Sequence, residues 1–324
     1  MARRRAGKPP GARAAGAATA EAPRQRKCGT MQVHMWLLES SPEFRVRQAE
    51  LERSTSQRLR LGARAFMRTA PYRIQVVVHV VHRLDSENIS DEQIKSQIDV
   101  MNRDFRKKNT DVSGVPSVWT GLATDSMIEF ELAKLDPTGK PSTGITRTKT
   151  TSASFDDDDR VKSAATGGAD PWPTSKYLNI WVCTFPVTPF GQLLGYAQFP
   201  GGPPDTDGVV VLNTAFGTKG TAAAPFNGGR TAVHEVGHYL NLRHIWGDTE
   251  DCSGSDSVID TPPAQFPNTG KPSFPHISCN NGPSGDMFMN YMDYVDDDTM
   301  VMFTQGQVAR MQAALDGPRS SLVS

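Results

Sequence analysis

HEVGHYLNLRH, residues 234–244, is the stretch on which the reading of this chain turns. The apolar residues of TAVHEVGHYLNL (231–242) recur at helical spacing, which places the first part of the motif on a helix. Residues i and i+4 of a helix stand one turn apart on one face. His234 and His238 can therefore each offer a ring nitrogen to one ion, and H-E-x-x-H is the spacing of a zinc site. Glu235 is adjacent, where a carboxylate can hold water at the metal and take its proton. His244 follows six residues after His238. A continuous helix would carry it to another face, so the chain must leave the helix and turn back. Asn241 stands at that turn, and Asn is the non-glycine residue that best tolerates the left-handed backbone. Three neutral imidazoles leave a fourth position for water, the arrangement of catalytic rather than structural zinc.

Upstream of the motif the pattern is that of a sheet with helices. IQVVVHVVH (74–82) reads as a buried strand, and MIEFELAKL (127–135) alternates like a half-buried one. YLNIWVCTF (177–185), LLGYAQFP (193–200) and GVVVLN (208–213) are three more strands. SDEQIKSQIDVMNRDFRKKN (90–109) is a helix opened by Ser90 and Gln93, with Ile94, Ile98, Met101 and Phe105 as its apolar stripe. Residues 42–62 form a charged helix that needs a partner. FDDDD (155–159) reads as a solvated loop rather than a metal site. Downstream, residues 247–300 are rich in Gly, Pro, Asp and Asn and read as irregular. A last helix runs from about Thr304 to Leu315, with Thr304 and Gln307 as its capping box. The fold class expected is α+β.

Composition narrows the function classes. The chain has 324 residues, enough for one large domain or two modest ones. Lys plus Arg is 35 and Asp plus Glu is 35, so no global attraction draws the chain to nucleic acid or an anionic membrane. No apolar run is long enough for a membrane-spanning helix. Residues 1–27, rich in Arg, Ala, Gly and Pro, read as a disordered basic tail, without the apolar core of a signal peptide. Cys183, inside an apolar strand, is expected to be a buried free thiol.

Together with NYMDY (290–294), the histidine motif resembles the metzincin clan of zinc metalloproteases. HIWGD (244–248), DTPP (260–263), SCNNGPSGDMFMNYMDY (278–294) and MFTQGQVARM (302–311) narrow the resemblance to the pappalysin family, relatives of pregnancy-associated plasma protein-A. The similarity covers most of residues 28–316. One departure is Asn241, where the extended motif usually has glycine.

The resemblance implies a zinc endopeptidase of metzincin fold acting on proteins or peptides. A twisted mixed sheet, an active-site helix and a backing helix make an upper subdomain (69–246). An irregular lower subdomain (247–324) ends in a helix, and an extended peptide lies in the cleft between them. Met292 is then an apolar floor under the zinc, and Tyr294 a hydrogen-bond donor to the oxyanion. Gly195, Tyr196 and Ala197 form an edge strand that a peptide extends. Cys252 pairs with Cys279, closing a loop worth roughly 3–4 kcal/mol and pointing to a secreted or periplasmic protein. Asp256, Asp260, Thr261 and Asp286 are the calcium ligands implied. Relatives often prefer Arg or Lys after the scissile bond. Among Asp296, Asp297 and Asp298, just past the Met-turn, Asp298 is taken as the acid for such a residue.

Cys28 lies in RQRKCGT, beside Arg26 and Lys27, which should favour its thiolate. In the family a similar segment covers the fourth zinc position. Residues 28–68 are accordingly read as a prosegment with Cys28 as its switch, removed by cleavage within 58–73. Two rival readings remain: a non-catalytic, zinc-stabilised peptide-binding protein, and a zinc hydrolase of a non-protein amide. Glu235 argues against the first and the edge strand against the second. Oligomeric state is left open.

Overall fold

The computed structural model describes residues 23–60 and 70–323. Two helices come first, α1 (Thr30–Ser40) and α2 (Pro42–Arg60). Strand β1 (Tyr72–His82) leads to α3 (Asp91–Phe105) and to the one-turn α4 (Ser117–Thr120). Strands β2 (Ile128–Leu132), β3 (Ile145–Lys149), β4 (Leu178–Cys183), β5 (Gly195–Ala197) and β6 (Val209–Leu212) follow, and then α5 (Arg230–Tyr239). The remainder holds only the short strands β7 (Thr269–Gly270) and β8 (Tyr294–Val295) before the last long helix, α6 (Gln305–Asp316).

β1 is the spine of the sheet. One edge pairs with β4, and the other is shared lengthwise, β2 along Tyr72–Val76 and β3 along Val78–His82. All these pairings are parallel, as is that of β4 with β6. A parallel sheet is covered on both faces, so its strands read as continuous apolar runs. Every residue of β4 is buried. Only β5 runs antiparallel, on β6, and it forms the outer edge.

Alternation along the strands feeds two cores. Ile180 and Val182 face one side, where the apolar stripe of α3 packs with Val233 and Val236 of α5 and with Met292. Trp181 and Cys183 face the other, with Phe155, Tyr196 and Phe199, and there α1 and α2 contribute Val33, Leu37 and Phe44. The first two helices thus complete a core of the sheet. Ser90 accepts a bond from the amide of Gln93, and Thr304 with Gln307 closes a reciprocal capping box at the start of α6. Cys252 and Cys279 form a disulfide with Cα atoms 5.3 Å apart, and Cys183 is a buried free thiol.

Three features differ from the sequence expectation. α1 was not anticipated, because TMQVHMWLLES has its apolar residues scattered around the helix. Nor was β3, whose residues ITRTK are only half covered. The disordered tail was drawn as far as residue 27. Residues 1–22 lie outside the described residues, but Arg26 is 2% exposed and belongs to the folded body. Much of the expected cleavage region, 61–69, also lies outside the described residues. No helix among those described is long and apolar enough to cross a membrane.

Ile180, fully buried between β1 and β6, tests the sheet as the organising element. Ile180→Ala should lower the unfolding free energy of the full chain by about 2–5 kcal/mol, read as a shifted urea midpoint at unchanged slope.

Candidate active site

α5 carries the first two histidines and then stops. Leu242 donates its amide to the Gly237 carbonyl at 2.9 Å, and Asn241 to that of His238 at 2.9 Å. Asn241 takes φ +74°, the left-handed turn its side chain tolerates. The chain reverses and brings His244 back. The three Nε2 atoms stand 3.0–3.2 Å from one another.

Each ring is aimed by its other nitrogen. Nδ1 of His234 meets the Tyr291 carbonyl at 2.7 Å, Nδ1 of His238 the Leu242 carbonyl at 2.8 Å, and Nδ1 of His244 the Asp248 carboxylate at 2.5 Å. These oxygens can only accept, so Nδ1 carries the proton and Nε2 keeps its lone pair. Burial, and then the neighbouring imidazoles, hold His234 and His238 well below the usual histidine pKa. With Nδ1 donating, no tautomer satisfies three lone pairs facing one point. That donor set suits a borderline-soft cation such as zinc. The Sγ of Cys28 completes a group of four donor atoms, all within 4.8 Å of one another.

Glu235 lies beside this group. Its Oε2 accepts from the Cys28 thiol at 3.3 Å and from the Thr30 hydroxyl at 3.0 Å. Full burial pushes its pKa up to about 8. A glycine makes room for it: a Cβ on Gly195 would come within 2.8 Å of Glu235 Cγ. On the opposite side Met292 packs its sulfur against Gly237, where a Cβ would lie 2.5 Å from Sδ. Tyr294 packs its ring 4.9 Å from His244, and its hydroxyl accepts from the Cys28 amide at 3.3 Å.

Residues 26–30 occupy the cleft. Lys27 and Gly29 pair with the free edge of β5, the Leu194 amide donating to Lys27 and the Gly29 amide to Gly195, both at 2.9 Å. Cys28 thereby runs parallel to Gly195. The Ala197 amide donates to the Thr30 hydroxyl at 2.8 Å. The Tyr196 side chain is on the far face, in the second core.

Two expectations are corrected here. Arg26 does not serve the thiol. It reaches away to Asp297 at 2.5 Å, both side chains being almost fully buried. Burial and the Glu235 carboxylate instead raise the Cys28 pKa. The acid facing the cleft is Asp297, not Asp298, which is exposed and pairs with Lys271. Asp297 was one of three neighbouring aspartates, and only the backbone path shows which of them points inward.

The four residues taken as calcium ligands are not gathered into one site. Asp260 caps α6, accepting from the Thr304 hydroxyl at 2.7 Å and the Gly306 amide at 2.8 Å. Asp286 binds Ser278, Asn281, Asn268 and His276. Only Asp256 and Thr261 meet, at 2.8 Å. Among the described residues the one cluster with metal-ligand spacing is that of Cys28 and the three histidines. Residues that the sequence reading missed include Thr30, Gly237 and Asp248. Asp248 had a signal, four residues after His244 in HIWGD.

The pregnancy-associated plasma protein-A family profile matches residues 162–316. An extracellular metalloprotease of Arthroderma otae is 33% identical over 76% of this chain and 78% of its own length. One from Pyricularia oryzae is 32% identical over 89% and 87%. Among solved structures, a variant of Tannerella forsythia promirolysin superposes with TM-score 0.83 at 43% identity, over 92% of this chain and 97% of that one. Mature mirolysin from the same organism, solved with a cleaved peptide, gives TM-score 0.76 at 48% identity, over 79% and 96%. With the histidine motif, Glu235 and the mixed sheet in place, the chain belongs to the pregnancy-associated plasma protein-A (pappalysin, M43) family and is a metalloendopeptidase.

Proposed function

We propose that the protein is a secreted zinc endopeptidase, held latent by residues 28–68 with Arg26 and Lys27 in front of them, that cleaves before arginine. The observation that carries this reading is the way residues 26–30 fill the cleft. Cys28 lies at the histidines, Arg26 at Asp297, and the backbone on β5.

His234, His238 and His244 would hold the zinc, with Cys28 as the fourth donor in the latent state. When bound, zinc acidifies water and polarises the scissile carbonyl. The chain's own residues do the rest. Once Cys28 and Thr30 leave, the Glu235 carboxylate is open to accept a proton from water and pass it to the leaving amine. The Tyr294 hydroxyl, released from the Cys28 amide, can donate to the developing oxyanion. The Leu194 amide and Gly195 carbonyl, which bind residues 27–29, become available to a substrate backbone.

Arginine preference is supported by the shape of the Arg26 site. Its guanidinium donates to Asp297 Oδ1 at 2.5 Å, to the Thr231 hydroxyl at 3.0 Å and to the Val295 carbonyl at 3.4 Å. It also lies 5.1 Å from the centre of the Phe226 ring. A planar fork fits these partners and a lysine ammonium does not. Asp297 is itself held, its Oδ2 accepting from the amides of Gly228 at 2.7 Å and Arg230 at 3.2 Å. The disulfide, and relatives named as extracellular, support secretion.

Cys28→Ala should make the full-length chain active on a peptide substrate without processing. A variant as silent as the parent would remove the switch. Glu235→Ala in the processed enzyme should lower kcat by a factor on the order of 10²–10⁴ while the bound zinc stays stoichiometric. Equal cleavage by both would leave only a non-catalytic role for that residue. Asp297→Asn should lower kcat/KM for Arg-containing peptides by about 2–5 kcal/mol of transition-state free energy, through loss of a buried charge pair.

A further inference from the structure

The aspartate run Asp156–Asp159 is not used by the site described so far. Phe155 anchors it in the second core, its amide donating to the Thr184 carbonyl at 2.9 Å. Two of the four carboxylates are neutralised within the loop. Asp158 pairs with Arg160 at 2.6 Å, and Asp159 with the buried Lys162 at 2.7 Å. Asp157 has no such partner: no side chain among the described residues donates to its carboxylate.

Asp157 nevertheless touches the occupant of the cleft. A Cβ built on Gly29 would lie 2.9 Å from Asp157 Oδ2 and 3.3 Å from Tyr196 Cβ, so this carboxylate stands against the chain that extends β5. The surroundings disfavour its charge. Burial first, and then Asp156, raise the Asp157 pKa. Beside it opens a groove of about 670 Å³, lined by Asp157, Asp158, Asp159 and Asp205 and by Val33 and Trp36 of α1. The α1 wall belongs to the segment that leaves on activation.

Direction assigns the position. Residues 26–30 run parallel to β5, so Arg26, before Cys28, fills the pocket read above as that of the residue after the scissile bond. Gly29, beyond Cys28, falls on the opposite side of the histidines. A substrate bound antiparallel to β5, with its arginine at Asp297, lays the residues preceding the scissile bond past Asp157. We propose that Asp157 is a second specificity residue, selecting a Lys or Arg side chain on the amino-terminal side of the scissile bond. The prosegment supplies glycine there and leaves the acid unpaired; a basic substrate would pair with it, at a partly open site where screening keeps the gain modest. This inference rests on the reading of Asp297 as the pocket for the residue after the bond.

The test uses the processed enzyme and peptides with a fixed Arg after the scissile bond and varied residues before it. Wild type should favour Lys or Arg over Leu or Glu there by about fivefold. Asp157→Asn should bring that ratio near one, Asp157→Lys should turn it toward Glu, and Asp158→Asn should leave it intact. The Arg preference after the bond should persist in all four proteins, which also reports that each is folded. A wild type indifferent to charge before the bond, or an Asp157→Asn enzyme that keeps the preference, overturns the inference while leaving Asp297 untouched. Loss of selection after the bond in wild type would instead overturn the Asp297 reading, and this one with it.

Discussion

Three imidazole nitrogens held about 3 Å apart are the constraint to which the rest of the structure answers. Neutral rings with converging lone pairs do not gather spontaneously; each must be turned and kept turned. The protein does so with three unlike acceptors, the Tyr291 carbonyl, the Leu242 carbonyl and the Asp248 carboxylate. Tyr291 comes from the turn that carries Met292. Leu242 is supplied by the reversal at Asn241, and Asp248 by the segment after the third histidine. The helix end, the Met-turn and the start of the irregular segment are thus parts of one device for aiming nitrogens. Gly237 has its place here, because the Met292 sulfur lies where a side chain would stand.

On the reading proposed above, residues 26–30 make the contacts a substrate would use, and the segment does so in several places at once. It extends the free edge of the sheet, places a guanidinium at Asp297 and engages Glu235 through Cys28 and Thr30. It runs parallel to β5, opposite to the direction proposed for a substrate. A second anchorage lies away from the cleft. Glu52 of α2 accepts from Arg310 of α6 at 2.7 and 3.1 Å, while Arg310 also donates to the Asn241 carbonyl at 3.2 Å. The fully buried arginine thus joins α2 to the turn that delivers His244. α1 and α2 add Val33, Leu37 and Phe44 to the second core, which makes them part of the fold as well as a cover for the cleft.

Where the sequence reading failed, the reason is specific. α1 buries Thr30, Val33, His34 and Leu37 on one face, half of it polar, while Met35 and Trp36 are exposed, so its apolar letters do not mark the buried stripe. β3 covers only the upper half of β1's edge, and its half-polar residues lack the pattern of a central strand. Arg26 reads as a charge near a thiol until the extended backbone at Lys27 and Cys28 sends its side chain the other way. The aspartates told the same story twice. In 156–159 and in 296–298 the letters are identical, and only folding separates partnered acids from those facing the cleft.

Residue identity and local spacing alone determined the helix bearing His234 and His238, the need for a left-handed turn at Asn241, the Ser90 cap, the Thr304–Gln307 capping box and the buried run of β1. These follow from interactions spanning a few positions, which a linear string contains in full. The chemistry followed from the same source, because an H-E-x-x-H pair with a third histidine presupposes a metal whatever surrounds it. Tertiary structure decided which aspartate meets Arg26, which acids lie apart from one another, and that Asp157 stands against Gly29. Those outcomes depend on contacts between residues up to about 270 positions apart in the chain, and at such separations the packing of whole elements, not the spacing of letters, sets where a side chain points.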